Sequence, residues 1–339
     1  MPIVGYGDRG VHTGDYRDIA NPSEGKAVSF VVLSHMRRVI RPGVASLLSP
    51  WGRRLFLMSK KGVTTMKQFP IAIQVYSVRD NAEADFVQTM KDLKAMGYDG
   101  VELAGTYGMT AVQIKEILDE IGLTLVSAHV GADLMWDDAL MADYAATGMQ
   151  YIAIPWFHKP TDPAFLADNI AKIRELGERC RSFGLQMGYH NHDFELEAVP
   201  EDGRRALEAY YEEIPADILK TQLDLCWVKV GGADPAEFLR RFPDRAPTIH
   251  VKDYVGGKTD KMYALIDCDD PEASQAATEF QMRPVGYGCQ DVKGLLAAAE
   301  AVGTQWVIVE QDEPTPGMNR MECAAKSVAY LKNLMNEGE

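Results

Sequence analysis

The stretch Gly97-Tyr-Asp-Gly-Val-Glu-Leu103 couples a helix-stopping glycine to a short apolar strand. Four more stretches have the same form: Gly122-Leu-Thr-Leu-Val-Ser-Ala-His129, Gly148-Met-Gln-Tyr-Ile-Ala-Ile-Pro155, Gly184-Leu-Gln-Met-Gly-Tyr-His190 and Gly303-Thr-Gln-Trp-Val-Ile-Val-Glu310. Glycine suits the junction because the residue after a helix often turns left-handed, a conformation that is costly for side chains with a Cβ. The runs are apolar without strict alternation, as expected of a parallel sheet covered on both faces. Between them lie segments such as Phe86-Val-Gln-Thr-Met-Lys-Asp-Leu-Lys-Ala-Met96, whose apolar residues recur at helical spacing.

Working outward, Ile71-Ala-Ile-Gln-Val-Tyr76, Leu219-Lys-Thr-Gln-Leu-Asp224 and Pro247-Thr-Ile-His-Val251 bring the strands to eight. Eight alternating units predict a closed (βα)8 TIM barrel over residues 68–339. An open doubly wound sheet would carry a glycine-rich phosphate loop after its first strand, and Tyr76-Ser-Val-Arg-Asp-Asn81 is not one. The connection from Val251 to the helix near Val292 is unusually long, and long loops in compact domains are usually functional.

Residues 1–67 differ in character, with 11 Lys/Arg against 4 Asp/Glu, a net of +7 that leaves −21 for the rest. Their basic, partly apolar stretch Val28-Ser-Phe-Val-Val-Leu-Ser-His-Met-Arg-Arg38 lacks a clear cleavage site, so a secretory signal fits poorly. We expect a basic extension that is poorly structured or non-native, since Met58 and Met66 both offer later starts; an arginine-rich targeting peptide is the alternative. The net charge of −14 argues against a nucleic-acid partner, which needs clustered Lys and Arg. Five cysteines without a CxxC pair suggest neither a disulfide framework nor a zinc-thiolate site, and a reducing cytoplasm is the expected home. No apolar run reaches the length of about 18 residues that a membrane span needs.

In such barrels the active site lies at the C-terminal ends of the strands. Those ends read Glu102, His129, Trp156, the run His190 to Glu195, Asp224, His250 with Lys252 and Asp253, and Glu310. Oxygen and imidazole donors without thiolate suit Mn, Mg, Co, Fe or Zn and do not choose among them. Taken singly, Asp224 is equally a helix cap and His250 equally a core histidine. A charge at the end of a buried strand, as at Glu310, is costly unless paired or metal-bound. Jointly, carboxylate, imidazole and carboxylate on three consecutive strand ends predict a divalent-metal site. His129 reads as a base, a substrate contact or a core histidine. Lys252 lies on the same side of its strand as His250, to bind substrate or to sit in solvent on the rim. Glu102 either orients a neighbour, binds sugar hydroxyls or is structural. Trp156 and Trp227 offer apolar faces to a sugar ring, or pack in the core. Gly286 and Gly288 read as a tight loop and only weakly as a phosphate cradle.

The runs Gln74-Val-Tyr-Ser-Val-Arg79, Gly100-Val-Glu-Leu-Ala-Gly105, Ser127-Ala-His-Val130, Tyr189-His-Asn-His-Asp-Phe-Glu195, Leu223-Asp-Leu-Cys-Trp-Val228, Ile249-His-Val-Lys-Asp253, Pro284-Val-Gly-Tyr-Gly288 and Val309-Glu-Gln-Asp-Glu-Pro314 carry a resemblance. Almost everything after Phe69 resembles the sugar phosphate isomerase/epimerase family with the xylose-isomerase-like barrel. That family includes ketose 3-epimerases, inosose dehydratases and, more remotely, the endonuclease IV type. The resemblance implies a small-molecule carbohydrate substrate, a manganese-type cofactor and chemistry α to a carbonyl through an enediolate, by isomerisation or epimerisation. Related barrels often pair, which leaves a homo-oligomer open without the sequence fixing it.

In the epimerases Glu, Asp, His and Glu hold the metal, and the last three correspond to Asp224, His250 and Glu310. The first does not match cleanly: His190 ends the fifth strand where the epimerases place a glutamate. Glu195 is favoured as the fourth ligand, with His190 and His192 facing substrate; His190 as ligand is the alternative. The epimerases use two glutamates on opposite faces as bases, and Glu310 corresponds to one of them. With imidazoles opposite it, a lyase that eliminates water or an alcohol from a keto-sugar, inosose or 3-keto-glycoside becomes the rival reading. A carbohydrate-binding barrel without catalysis stands below both, and the acidic charge argues against a hydrolase acting on DNA.

Overall fold

The computed structural model describes residues 66–259 and 280–337. Packing divides the chain into Met1–Ser59 and Lys60–Glu339, and the barrel is the second unit. The expected basic extension falls on residues that, up to position 65, lie outside the described ones. Lys67, placed in that extension by the sequence, donates from Nζ to Thr304 O at 2.8 Å.

Eight parallel strands close the barrel: β1 (Ile71–Gln74), β2 (Gly100–Ala104), β3 (Thr124–His129), β4 (Tyr151–Ile154), β5 (Gln186–His190), β6 (Leu219–Asp224), β7 (Thr248–Val251) and, after a hairpin, β10 (Trp306–Val309), which pairs with β1. The five junction glycines, Gly97, Gly122, Gly148, Gly184 and Gly303, all take positive φ, between 74° and 108°. This is the left-handed turn for which glycine was expected. Helices α2 (Phe86–Met96), α3 (Ala111–Ile121) and α5 (Pro163–Ser182) start on Asp85, Thr110 and Asp162, whose side chains accept backbone N–H groups of the first turn.

Alternation along the strands sorts the side chains. Ile73, Val101, Leu103, Leu223, Ile249, Val307 and Val309 point outward into the main core under the helices. Full burial of each such side chain stabilises by about 1.5–3 kcal/mol. The inward positions differ by height. Ala72, Val126 and Ile308 with Trp306 form an apolar floor. Gly100 leaves room for it, since a Cβ there would lie 3.1 Å from the Trp306 ring. One layer up, the inward residues are Gln74, Glu102, Gln222, Thr248 and His250, all buried and polar. The register sets them side by side: Gln74 pairs with Glu102, Glu102 with Ser127, Gln222 with Thr248 and Asp224 with His250.

The long seventh connection contains an antiparallel hairpin, β8 (Asp253–Gly256) with β9 (Phe280–Arg283), and then α9 (Val292–Ala301). Residues 260–279 within the expected functional loop lie outside the described residues. Trp227 on the short helix α7 (Leu225–Val230) packs under the hairpin with Tyr254, Phe280 and Met282. No helix among the described residues is long and apolar enough to cross a membrane.

Candidate metal centre

Four side chains from the fifth to the eighth barrel strands converge. One donor atom each from His190, Asp224, His250 and Glu310 lies within 4.8 Å of the others. His190 Nε2 is 3.9 Å from both Asp224 Oδ2 and Glu310 Oε2, and His250 Nδ1 is 2.7 Å from Glu310 Oε2. All four are buried.

Asp224 serves two purposes at once. Its Oδ1 accepts the N–H groups of Cys226 and Trp227, both at 2.9 Å, and so caps α7. That cap fixes the carboxylate and turns Oδ2 toward the cluster, where it makes no hydrogen bond. Asn191 pins the same residue from behind, through Asp224 N to Asn191 Oδ1 at 3.0 Å.

Glu102, one layer deeper, receives five donors. Gln74 Nε2 at 2.8 Å, His250 Nε2 at 2.7 Å and His129 Nε2 at 3.0 Å reach Oε1. Gln222 Nε2 at 2.6 Å and the Ser127 hydroxyl reach Oε2. Burial opposes its charge, but His129 and His250 outweigh burial and hold its carboxyl well below the usual range. This glutamate faces protein donors, not the mouth. The one Nε2–H of His129 is shared between Glu102 and Gln222 Oε1, the latter at 2.7 Å, and its ring stacks on His250 with centroids 5.3 Å apart.

Lys252 enters from the end of β7. Its Nζ is 2.8 Å from Asp312 Oδ1, 3.1 Å from Glu310 Oε2 and 3.3 Å from Asp224 Oδ2. Burial opposes the ammonium, yet Asp312, Glu310 and Asp224 raise its pKa well above the ordinary lysine value. The same ammonium lies 5.4 Å above the Trp227 ring. Burial pushes Asp224 up to about 6 against the pull of Lys252. Burial, followed by His250, His129 and Lys252, keeps His190 far below the usual histidine range, so its ring is neutral. Burial and Lys252 bring His192 down to about 3.

Glu195, favoured by the sequence as the fourth ligand, stands apart from the group of four. The turn Phe194–Leu196 folds it back so that Oε1 accepts from Tyr189 OH at 3.0 Å and Oε2 from His192 N at 2.9 Å. His190, the alternative, supplies the close donor. Trp156 is 54% exposed after β4, whereas Trp227 is buried with its ring 5.8 Å from His192. The Gly286 and Gly288 loop is occupied by protein: their N–H groups donate to Asp253 Oδ2, while Tyr254 and Gln290 N–H donate to Oδ1. Gln74, Ser127, Gln222 and Asp312 were given no role by the sequence reading. Gln74 and Gln222 were detectable as polar residues in the inward phase of buried strands. Asp312 stands two positions beyond Glu310, in a run already quoted.

The donors fit a divalent cation. Burial opposes a charge on His250, but Glu102 and Glu310, each 2.7 Å from one of its ring nitrogens, raise its pKa to about 10, so its imidazolium and the ammonium of Lys252 offset the buried carboxylates when no metal is bound. A divalent cation held by His190, Asp224, His250 and Glu310 would displace the imidazolium proton, since a histidine binds metal in its neutral form. Asp224 Oδ2 makes no hydrogen bond and faces the group, with Lys252 Nζ 3.3 Å away.

A parallel eight-stranded barrel with its ionisable groups gathered at the C-terminal mouth defines the class as a TIM barrel of enzyme architecture. Residues 90–334 match the xylose isomerase-like TIM barrel, and the chain belongs to that family. It is similar to an inosose dehydratase from Lacticaseibacillus casei, at 24% identity over 281 residues covering 75% of this chain and 91% of the relative. Among solved structures, a sugar phosphate isomerase/epimerase from Parabacteroides distasonis superposes with a TM-score of 0.61 at 20% identity, covering 79% of this chain and 95% of that one. A xylose isomerase-like barrel protein from Mycobacterium smegmatis in complex with magnesium superposes with a TM-score of 0.54 at 15% identity, covering 82% and 99%.

Proposed function

We propose that the protein is a divalent-metal-dependent lyase that eliminates water or an alcohol from a keto-polyol of the inosose or keto-sugar kind. His190, Asp224, His250 and Glu310 would hold the metal. When bound, the metal supplies a Lewis acid that polarises the substrate carbonyl and steadies charge on its oxygen. The magnesium-bound M. smegmatis protein and the four converging donors support the metal.

One observation carries the choice of elimination over epimerisation, namely that the loop after β5 turns Glu195 away onto Tyr189 and His192 N. Epimerisation needs a second base to return the proton on the opposite face, and Glu102 is committed to five protein donors. With His190 given to the metal, His192 is the acid/base on the β5 side, its ring neutral at physiological pH because burial and Lys252 bring its pKa down to about 3. It takes the proton α to the carbonyl and passes it to the departing hydroxyl or alkoxide. Substrate then leaves as enone plus water or alcohol, and the protein ends uncharged at His192. The inosose dehydratase relative supports the same reading.

The test is a panel of inososes and keto-sugars in deuterated water with manganese-loaded protein. Enone absorbance abolished by a chelator is the expected result. Deuterium at the α carbon with no enone would replace the lyase by an isomerase or epimerase. Bound sugar with neither change would leave a binding barrel.

A further inference from the structure

We infer that His190 makes this centre select a borderline, nitrogen-accepting cation such as Fe2+, Co2+ or Zn2+ over Mg2+ and Mn2+. The inference rests on the metal reading above and concerns which cation, and by which residue, that reading leaves open.

Three observations converge on it. First, the group of four offers two imidazoles and two carboxylates, and three imidazoles, His129, His190 and His250, also cluster with their ring nitrogens within the same 4.8 Å. The surroundings of the centre are rich in nitrogen. Second, both imidazoles of the four are buried and bring a ring nitrogen to the group. His190 is only 2% exposed, its Nε2 is 3.9 Å from both Asp224 Oδ2 and Glu310 Oε2, and its Nδ1 makes no hydrogen bond to the described residues. His250 has its Nε2 committed to Glu102, and its Nδ1 faces the group, 2.7 Å from Glu310 Oε2. Third, Lys252 lies within 3.3 Å of both carboxylates of the group and offsets part of their charge.

Hard cations such as Mg2+ and Mn2+ draw their affinity from anionic and neutral oxygen ligands, and Mg2+ is usually bound through carboxylates and water. A neutral imidazole in place of a carboxylate removes one negative charge, and the ammonium of Lys252 weakens what is left. Borderline cations lose less by this exchange, because they gain from imidazole nitrogen. Selectivity therefore turns on the residue at position 190.

Chelator-competition titrations of the full chain with Mg2+, Mn2+, Co2+ and Zn2+, with no substrate present, give the Kd for each. Zn2+ exceeds Mn2+ at nearly any such site, so the discriminating quantity is the ratio of the two and how it changes in His190→Glu. We expect the ratio of Kd for Mn2+ to Kd for Zn2+ to fall about tenfold or more in His190→Glu. An unchanged ratio overturns the inference. Should the buried glutamate prevent folding, pulsed EPR of the Mn2+-loaded wild type decides instead. Couplings from two imidazoles, reduced to one in His190→Gln, support it; a single imidazole in the wild type overturns it and leaves the metal reading standing. Absence of any bound cation at millimolar concentration overturns both.

Discussion

His250 gives its Nε2–H to Glu102 Oε1 at 2.7 Å, and this bond decides which ring nitrogen the histidine turns to the mouth. A carboxylate behind a metal-binding histidine fixes its tautomer and raises its basicity, and loss of such a partner typically costs about 10–100-fold in metal affinity. We therefore expect Glu102→Gln, which keeps a carbonyl acceptor, to weaken metal binding by about tenfold, and Glu102→Ala to weaken it further. Nitrogen NMR of His250 in the metal-free protein should show the proton leaving Nε2 in the alanine variant. Unaltered affinity in Glu102→Ala would remove this role from Glu102.

Asp224 allows its two duties to be separated. Asparagine caps helices as well as aspartate does, so Asp224→Asn should keep the contacts to Cys226 and Trp227 N–H. It should lose metal by more than the roughly 100-fold that an outer partner costs. Asp224→Ala loses the cap as well, and its melting should reveal a further cost of about 0.5–2 kcal/mol relative to the asparagine variant. Metal titration and thermal melts on the pair give both numbers. Equal metal affinity in wild type and Asp224→Asn would exclude Asp224 as a ligand.

The division between what the sequence revealed and what it hid follows from the range of the forces involved. The eight strands were legible because each junction is local: Gly97 and Gly303 stop a helix by their own backbone, and the apolar runs follow at once. The convergence of Asp224, His250 and Glu310 was legible because strand ends in a closed barrel have no choice but to meet. The direction of Glu195 was not, since it depends on a three-residue turn and on a tyrosine hydroxyl that arrives from the strand before it. Composition gave no hint that Asp253 would fill the glycine loop, because that contact spans more than 30 residues. Lys252 was placed on the correct side of β7, but its commitment to Asp312 depends on how the chain beyond the end of β10 turns.

Asp253 leads to the third prediction. A Cβ at Gly288 would lie 2.2 Å from Asp253 Oδ1 and 2.4 Å from Tyr254 O, distances that real side chains do not tolerate. Gly288→Ala must therefore expel the carboxylate from its four N–H donors or move the hairpin. Overpacking of this kind costs about 1–3 kcal/mol. Denaturant melts should show a loss in that range, and faster amide exchange at Gly286 and Gln290 should accompany it. A wild-type melting curve would show that the cradle is not needed.

Glu195 provides the pH dependence. Its carboxyl is fully buried, and burial, only partly offset by hydrogen bonds from Tyr189 and His192, lifts it from an ordinary 4.5 to about 8. The folded state thus holds a proton that the unfolded state releases. Stability from this group is complete below pH 4.5 and is lost as the pH rises toward about 8, the reverse of the usual acidic side chain. Glu195→Gln imitates the protonated acid, with one oxygen for His192 N and an amide for the tyrosine, and it cannot ionise. Melting temperatures from pH 5 to pH 9 should therefore fall more steeply for the wild type than for Glu195→Gln, which should be the more stable of the two at the alkaline end. The same variant tests the fourth ligand, because metal affinity should survive it if His190, rather than Glu195, completes the centre. Parallel melting curves would mean that Glu195 is ionised in the folded protein. A loss of metal in Glu195→Gln would return it to the ligand set and restore the second carboxylate that epimerisation needs.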